Sequence, residues 1–437
     1  MEIIVKIGQF LLSLSILIVL HEFGHFFFAR LFKTRVEKFF LFFNPGFSLF
    51  QFKKGETTYG LGWLPLGGYV KISGMIDESM DREQMNKPAK PYEFRAKPAW
   101  QRLLIMLGGV FVNFLLGFLI YAAVLYTWGE DYLPVKNLKH GVVVDSAAAE
   151  AGFKDGDRIV SLDGKEVERY REVITNILLE DVTTVQVMRD GEQKSIMLPA
   201  EVKKKIIKGD RLFTPRIPFV VGAFGKNSAA QKAGIQKGDR IIQVDTIATP
   251  MADQLSPALK NYQNSNVNVT VLRDGREKTF EVQLDSTAML GVAVDITKAL
   301  DYETKHYSFV EAIPAGVSKA YDTGKKYLQQ FKLIFSPETE AYKEVGGFIT
   351  IGKIFPGVWN WQSFWSLTAF LSIMLAILNL LPIPALDGGH VMFLMYEIIT
   401  GRKPGEKFME YAQMTGMFIL LALLIFVNGN DIVKLFQ

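Results

Sequence analysis

The sequence predicts a mixed membrane protein, with about four transmembrane α-helices and polar, strand-rich segments between them. Three observations lead there. Four stretches are apolar over a membrane-spanning length. The composition is intermediate: 49% of the 437 residues are hydrophobic and mean hydropathy is +0.16, high for a soluble protein and low for one embedded throughout. Between the second and third apolar stretches, a module of about eighty residues occurs twice.

The bulk numbers exclude some functions. Lys and Arg total 49 against 45 Asp and Glu, a net charge of +4, so there is no basic excess of the kind nucleic-acid binding needs. Cysteine is absent, which rules out thiolate chemistry and disulfide-held domains. The N-terminal apolar run is too long for a cleavable signal peptide and lacks a small-residue cleavage site.

The spans fall at about Ile7 to Phe32, Leu103 to Trp128, Phe364 to Leu381 and Met414 to Val427. Tyr126 and Trp128, and separately Trp359, Trp361 and Trp365, suit an interfacial position. Residues 33–102 carry Lys33, Arg35, Lys38, Lys53, Lys54 and Lys71, and the loop before the fourth span carries Arg402, Lys403 and Lys407. By the positive-inside rule both loops are cytoplasmic, and everything from about 129 to 362 is outside.

The chemistry centres on His21-Glu22-Phe23-Gly24-His25, inside the first span. Histidines four apart project from one helical face, one turn apart, and both can reach one tetrahedral Zn²⁺. Glu22 sits beside them, placed to take a proton from a water activated there. Three titratable groups in five positions of a membrane helix are costly without a cation.

A second constellation closes the third span: Asn379-Leu380-Leu381-Pro382-Ile383-Pro384-Ala385-Leu386-Asp387-Gly388-Gly389-His390. The prolines break the helix. An aspartate at such a break, at membrane depth, either meets a cation or caps the next helix. Of the remaining histidines, His140 and His306 lie outside every motif.

HExxH in the first span with a distant N-x-x-P-x-P-x-L-D-G resembles the site-2 protease family of intramembrane zinc metalloproteases. The resemblance implies one zinc per chain, with His21, His25 and Asp387 as ligands, Glu22 as catalytic acid and base, and Asn379, with Pro382 and Pro384 around it, holding substrate backbone. Gly108 to Phe114 resembles the family's G-P-x-x-N-F span, though without its proline, and the resemblance makes Asn113 a further substrate-binding candidate. Two strand-like runs around Lys53-Lys54-Gly55-Glu56 read as a hairpin. Leu61 to Val70, including Gly67 and Gly68, resembles the family's re-entrant β element, whose edge can pair with an extended substrate.

The repeated module resembles bacterial PDZ domains. Ala151-Gly152-Phe153-Lys154-Asp155-Gly156-Asp157-Arg158-Ile159 returns as Ala233-Gly234-Ile235-Gln236-Lys237-Gly238-Asp239-Arg240-Ile241, and Arg189-Asp190-Gly191 as Arg273-Asp274-Gly275. Such modules either bind peptides or screen bulky ectodomains. Residues 306–335 read as an amphipathic helix for the membrane surface or the catalytic mouth, and Val345 to Gly352 resembles a family G-P-I segment without its proline.

The divisions expected are a first transmembrane helix with HExxH over 1–34, a cytoplasmic-side loop with the re-entrant hairpin over 35–99, and a second transmembrane helix over 100–128. PDZ modules follow over 129–205 and 214–290, then a membrane-surface segment over 291–362. A third transmembrane helix with the second motif covers 363–390, and an amphipathic helix with the fourth span covers 391–437. The reading is a multi-pass endopeptidase of a bacterial inner membrane. Its expected partners are the lipid bilayer, single-span membrane substrates, such as pre-trimmed anti-sigma factors and remnant signal peptides, and peptide ligands of the PDZ modules. The alternative is a membrane metal-binding or transport protein with partner-binding modules; Glu22 beside two ligands, and a repeat that lies outside the spans, weigh against it.

Overall fold

The computed structural model describes residues 1–65, 67–75, 88–334, 336 and 339–436. Of the charged linker expected over 77–98, the part up to 87 lies outside the described residues. The chain divides into two compact units: Met1–Gly129 with His306–Phe335 and Tyr342–Gln437, and Glu130–Lys305 with Ser336–Ala341.

The first unit is built on six longer helices: α1 (Glu2–Leu31), α2 (Ala99–Trp128), α3 (Phe309–Ile334), α4 (Trp361–Leu380), α5 (Asp387–Thr400) and α6 (Glu406–Phe436). Four are long and apolar enough to cross a membrane: α1, α2, α4 and, within α6, Lys407–Lys434. The fourth span is thus longer than its apolar core, Met414 to Val427, suggests. α1 places Glu2 in its first turn and Arg30 in its last, the signs that suit its dipole. α4 starts where Asn360 caps the Ser363 amide at 2.8 Å, and stops before Pro382, whose ring cannot continue the helix.

α2 packs against α1, α3, α4 and α5. Apolar side chains gain little by leaving lipid for protein, so close approach and polar pairs hold such helices together. Ser13 of α1 meets Thr368 of α4 at 2.9 Å, Ser372 of α4 donates to the Asn113 carbonyl of α2 at 2.7 Å, and Arg102 of α2 pairs with Glu397 of α5 at 2.5 Å. Closest of all are α1 and α2 at Gly24 and Gly108. A side-chain carbon at Gly24 would overlap the Gly108 carbonyl, and one at Gly108 would come within 2.5 Å of the Gly24 carbonyl oxygen.

Between α1 and α2 lies a four-stranded sheet: β1 (Val36–Leu41), β2 (Phe50–Lys54), β3 (Thr57–Leu61) and β4 (Tyr69–Ile72), in the order β2-β3-β1-β4. β2 and β3 are the hairpin expected from the sequence. β1 joins it in parallel with β3 and antiparallel to β4, so the element is larger than a hairpin. β2 is exposed along its length, Phe50 and Phe52 included, while Phe40 of β1 is buried and stacks on Tyr69.

In the second unit one order of elements occurs twice, each copy around its own buried core. The first copy runs from β6 (Val142–Val144) through β7 (Arg158–Leu162), β8 (Lys165–Glu166), β9 (Thr184–Arg189) and β10 (Glu192–Met197) to β11 (Phe213–Pro215). The second runs from β12 (Phe219–Phe224) through β13 (Arg240–Val244), β14 (Ile247–Ala248), β15 (Asn266–Arg273) and β16 (Arg276–Gln283) to β17 (Val292–Val294). β5 (Glu130–Tyr132) and β18 (Glu303–Lys305) pair with each other. Each Asp-Gly of the repeated motif is a hairpin turn with positive φ at both residues, Asp190-Gly191 and Asp274-Gly275, the conformation a tight two-residue β-turn requires. The preceding arginine reaches back to an aspartate of the Gly-Asp-Arg run: Arg189 to Asp157 and Arg273 to Asp239, each at 2.7 Å to both carboxylate oxygens. Burial pushes the Asp239 carboxyl up, but the Arg273 guanidinium and the Gln236 amide outweigh it and hold it below the usual range. The two residues conspicuous as a repeat are therefore one buried ion pair per copy.

Candidate metal centre

α1 is helical through the HExxH run, so His21 and His25 stand on the face turned to α2 and α4, 8% and 7% exposed. Asp387 is the first residue of α5, after the break that Pro382 and Pro384 impose. The turn includes Ala385 at φ 85°, a left-handed backbone for a residue with a side chain. Leu386, not Asp387, precedes the helix as its N-cap, and it makes no side-chain capping bond.

Three atoms converge. Nε2 of His21 lies 3.2 Å from Oδ2 of Asp387, Nε2 of His25 lies 3.3 Å from the same oxygen, and the two Nε2 atoms are 3.3 Å apart. Asp387 Oδ2 is buried and has no hydrogen-bond partner. His25 Nδ1 lies 2.9 Å from the Ile105 carbonyl, which can only accept, so Nδ1 carries a proton, and in the neutral ring Nε2 holds the lone pair that a metal needs. Electron-rich atoms facing one another inside a membrane protein need a cation between them. Tetrahedral zinc with bonds of about 2.0–2.1 Å separates its donors by about 3.3–3.4 Å, which matches this triangle. The residues present therefore fit zinc.

Around the triangle the other sequence candidates distribute unevenly. Glu22 lies next to it, with its carboxylate in reach of the Val70 backbone. Gly68 rests on α1 so closely that a side-chain carbon there would strike Ile18 and come within 3.4 Å of Glu22 Cγ. Gly67 precedes it at φ 148°. Asn379 Nδ2 is 3.3 Å from His21 Nε2, and Asn113 Nδ2 is 3.1 Å from His21 Nδ1. Pro382 is exposed. Pro384 packs against the backbone of Gly389 and of Gly416 on α6.

Two further contributors lie on α2. The Ile105 carbonyl leaves no trace in residue type. Gly109 does leave one: a side-chain carbon there would come within 2.5 Å of His25 Nε2 and 2.6 Å of His21 Cε1.

The spans and this centre define a membrane-embedded metallohydrolase. The chain belongs to peptidase family M50, whose model matches residues 9–423. It is 27% identical to the regulator of sigma E protease of Haemophilus influenzae, with 100% of both chains aligned. To the regulator of sigma-E protease RseP of Salmonella typhimurium it is 26% identical, again over 100% of both. A Neisseria meningitidis protein named as a zinc metalloprotease is 28% identical over 98% of each chain. The chain is an intramembrane zinc metalloprotease of a bacterial membrane, and its family acts on membrane proteins.

The Gly24–Gly108 contact generates a test within α1. Alanine favours a helix over glycine by about 1 kcal/mol, yet at position 24 its methyl group would meet backbone that cannot swing aside. Gly24→Ala should lower the thermal unfolding temperature in detergent, an overpacking cost of about 1–3 kcal/mol, and lower the zinc content found by elemental analysis. Gly8 has open space around it, so Gly8→Ala should do neither. Equal behaviour of the two variants would contradict the packing account.

Proposed function

We propose that His21, His25 and Asp387 hold the zinc, and that Glu22 is the catalytic acid and base of an endopeptidase that cuts single-span membrane proteins. What carries this is the triangle of two imidazole nitrogens and one orphaned carboxylate oxygen, with a glutamate beside it. When bound, zinc supplies a Lewis acid that activates a water and polarises the scissile carbonyl. Glu22 takes the proton of the attacking water on its carboxylate and returns it to the amine nitrogen as the peptide bond breaks. Asn379, its amide next to His21, hydrogen-bonds the substrate backbone. Pro382 and Pro384 hold the break that brings Asn379 and Asp387 to one centre.

In this reading the β1–β4 sheet is the re-entrant element. Its large exposed apolar residues, Phe50, Phe52 and Trp63, support an apolar surrounding. β4 is an end strand of the sheet and leads from Gly67-Gly68 beside Glu22. An extended substrate segment adds to its free edge, which delivers main chain to the catalytic carboxylate. The basic loops support a cytoplasmic position for this side. The twofold-repeated unit is a tandem PDZ pair outside the membrane, over 129–205 and 214–290, that screens substrates by ectodomain size. The relatives named for regulating sigma E make pre-trimmed anti-sigma factors reasonable substrates to try first.

Glu22→Gln separates chemistry from metal binding. It keeps the side chain's size and leaves the ligands untouched. Cleavage of a single-span substrate in detergent should fall by about 10²–10⁴-fold, with one zinc retained and uncut substrate co-purifying. Cleavage near the parent rate would remove Glu22 from the mechanism. Deletion of 129–290 tests the screen: the shortened protein should cut substrates that keep large ectodomains. If it cuts small substrates and still rejects large ones, the screening role is wrong.

A further inference from the structure

Asn113 is fully buried on α2, 0% exposed. The motif it belongs to suggests a substrate contact, but a side chain with no accessible surface at the junction of three helices cannot offer its amide to a peptide. Its neighbour is instead the back of a proposed ligand. Asn113 Nδ2 stands 3.1 Å from His21 Nδ1, and Asn113 Oδ1 is a buried oxygen without a hydrogen-bond partner.

A metal-facing Nε2 must carry a lone pair, which obliges the neutral ring of His21 to keep its proton on Nδ1. A proton on Nδ1 requires an acceptor, and an amide nitrogen is not one. The oxygen and nitrogen of an asparagine amide differ by a half-turn of the terminal torsion and are assigned from their partners. Turned that way, Oδ1 accepts the Nδ1–H of His21, and the unpartnered oxygen finds its donor. His25 is held by the same logic from the same helix, through the Ile105 carbonyl at 2.9 Å. The Asn113 main chain is fixed in turn, since Ser372 of α4 donates to its carbonyl at 2.7 Å.

We infer that Asn113 is a positioning residue, whose side-chain oxygen fixes the Nδ1–H tautomer and ring orientation of His21 so that Nε2 points at the metal. This rests on the reading of His21 as a ligand. α2 then orients both histidines of α1, one with a backbone carbonyl and one with a side-chain oxygen.

The test is zinc affinity of the full chain in detergent, by competition with a chromophoric chelator, which reads binding and not turnover. Asn113→Leu keeps the volume and removes the acceptor; it should weaken zinc binding by about 10–100-fold, the usual cost of losing such a partner. Asn113→Asp keeps an acceptor oxygen at the same place and should bind zinc within a few-fold of the parent. A purely structural role predicts the reverse order, since leucine suits a buried site and a carboxylate does not. Parent-like affinity in Asn113→Leu, or equal weakening in both variants, overturns the inference. His21→Ala is measured alongside: if it too binds zinc like the parent, the ligand reading itself fails, a result distinct from failure at Asn113 alone.

Discussion

The structure depends on one close approach, backbone on backbone, between α1 and α2 at Gly24 and Gly108. Any side chain at either position would part the helices. With them parted, the Ile105 carbonyl could not reach His25, and Asn113 could not reach His21. It is telling that Gly24 lies inside the histidine motif: the residue between the imidazoles sets how near the orienting helix comes. Gly109 extends the same constraint by one residue, leaving room for both rings. α4 then closes the third side, held by Ser13 against Thr368 and by Ser372 against the Asn113 carbonyl.

Charge in a membrane gives the same architecture an energetic reason. An isolated carboxylate or a pair of imidazoles in such surroundings costs several kcal/mol. The chain gathers these groups at one point, where a divalent cation would offset the cost. The Arg102–Glu397 ion pair between α2 and α5 is complete in itself. Asp387 Oδ2 is not: it faces two imidazole nitrogens and has no hydrogen-bond partner.

Much of this was legible in the chain. Helical spacing put His21 and His25 on one face, and the proline break marked Asp387, because both signals are local and stereochemical. The four spans were legible for the same reason, though not their ends: α6 runs well beyond its apolar core because polar residues at helix ends bear no apolar signal. The β2–β3 hairpin could be read from its polar turn. The parallel pairing of β1 with β3 could not, since it links segments with no shared local pattern. The repeated Arg-Asp-Gly and Gly-Asp-Arg runs were visible as a repeat, but not as the ion pairs Arg189–Asp157 and Arg273–Asp239, which join residues more than thirty positions apart. Asn113 shows where motif reading runs out. Residue type gives an amide; only the fold shows that it is buried beside His21.

The central claim is that two histidines of α1 and one carboxylate from the break after α4 form a single metal centre. X-ray absorption at the zinc edge of the purified protein tests it most directly, because it counts imidazoles around the metal. The account predicts two imidazole nitrogens and otherwise oxygen donors, at about 2.0–2.2 Å. A third imidazole would bring His390 into the ligand set in place of Asp387, and one or none would mean that the triangle is not where zinc binds.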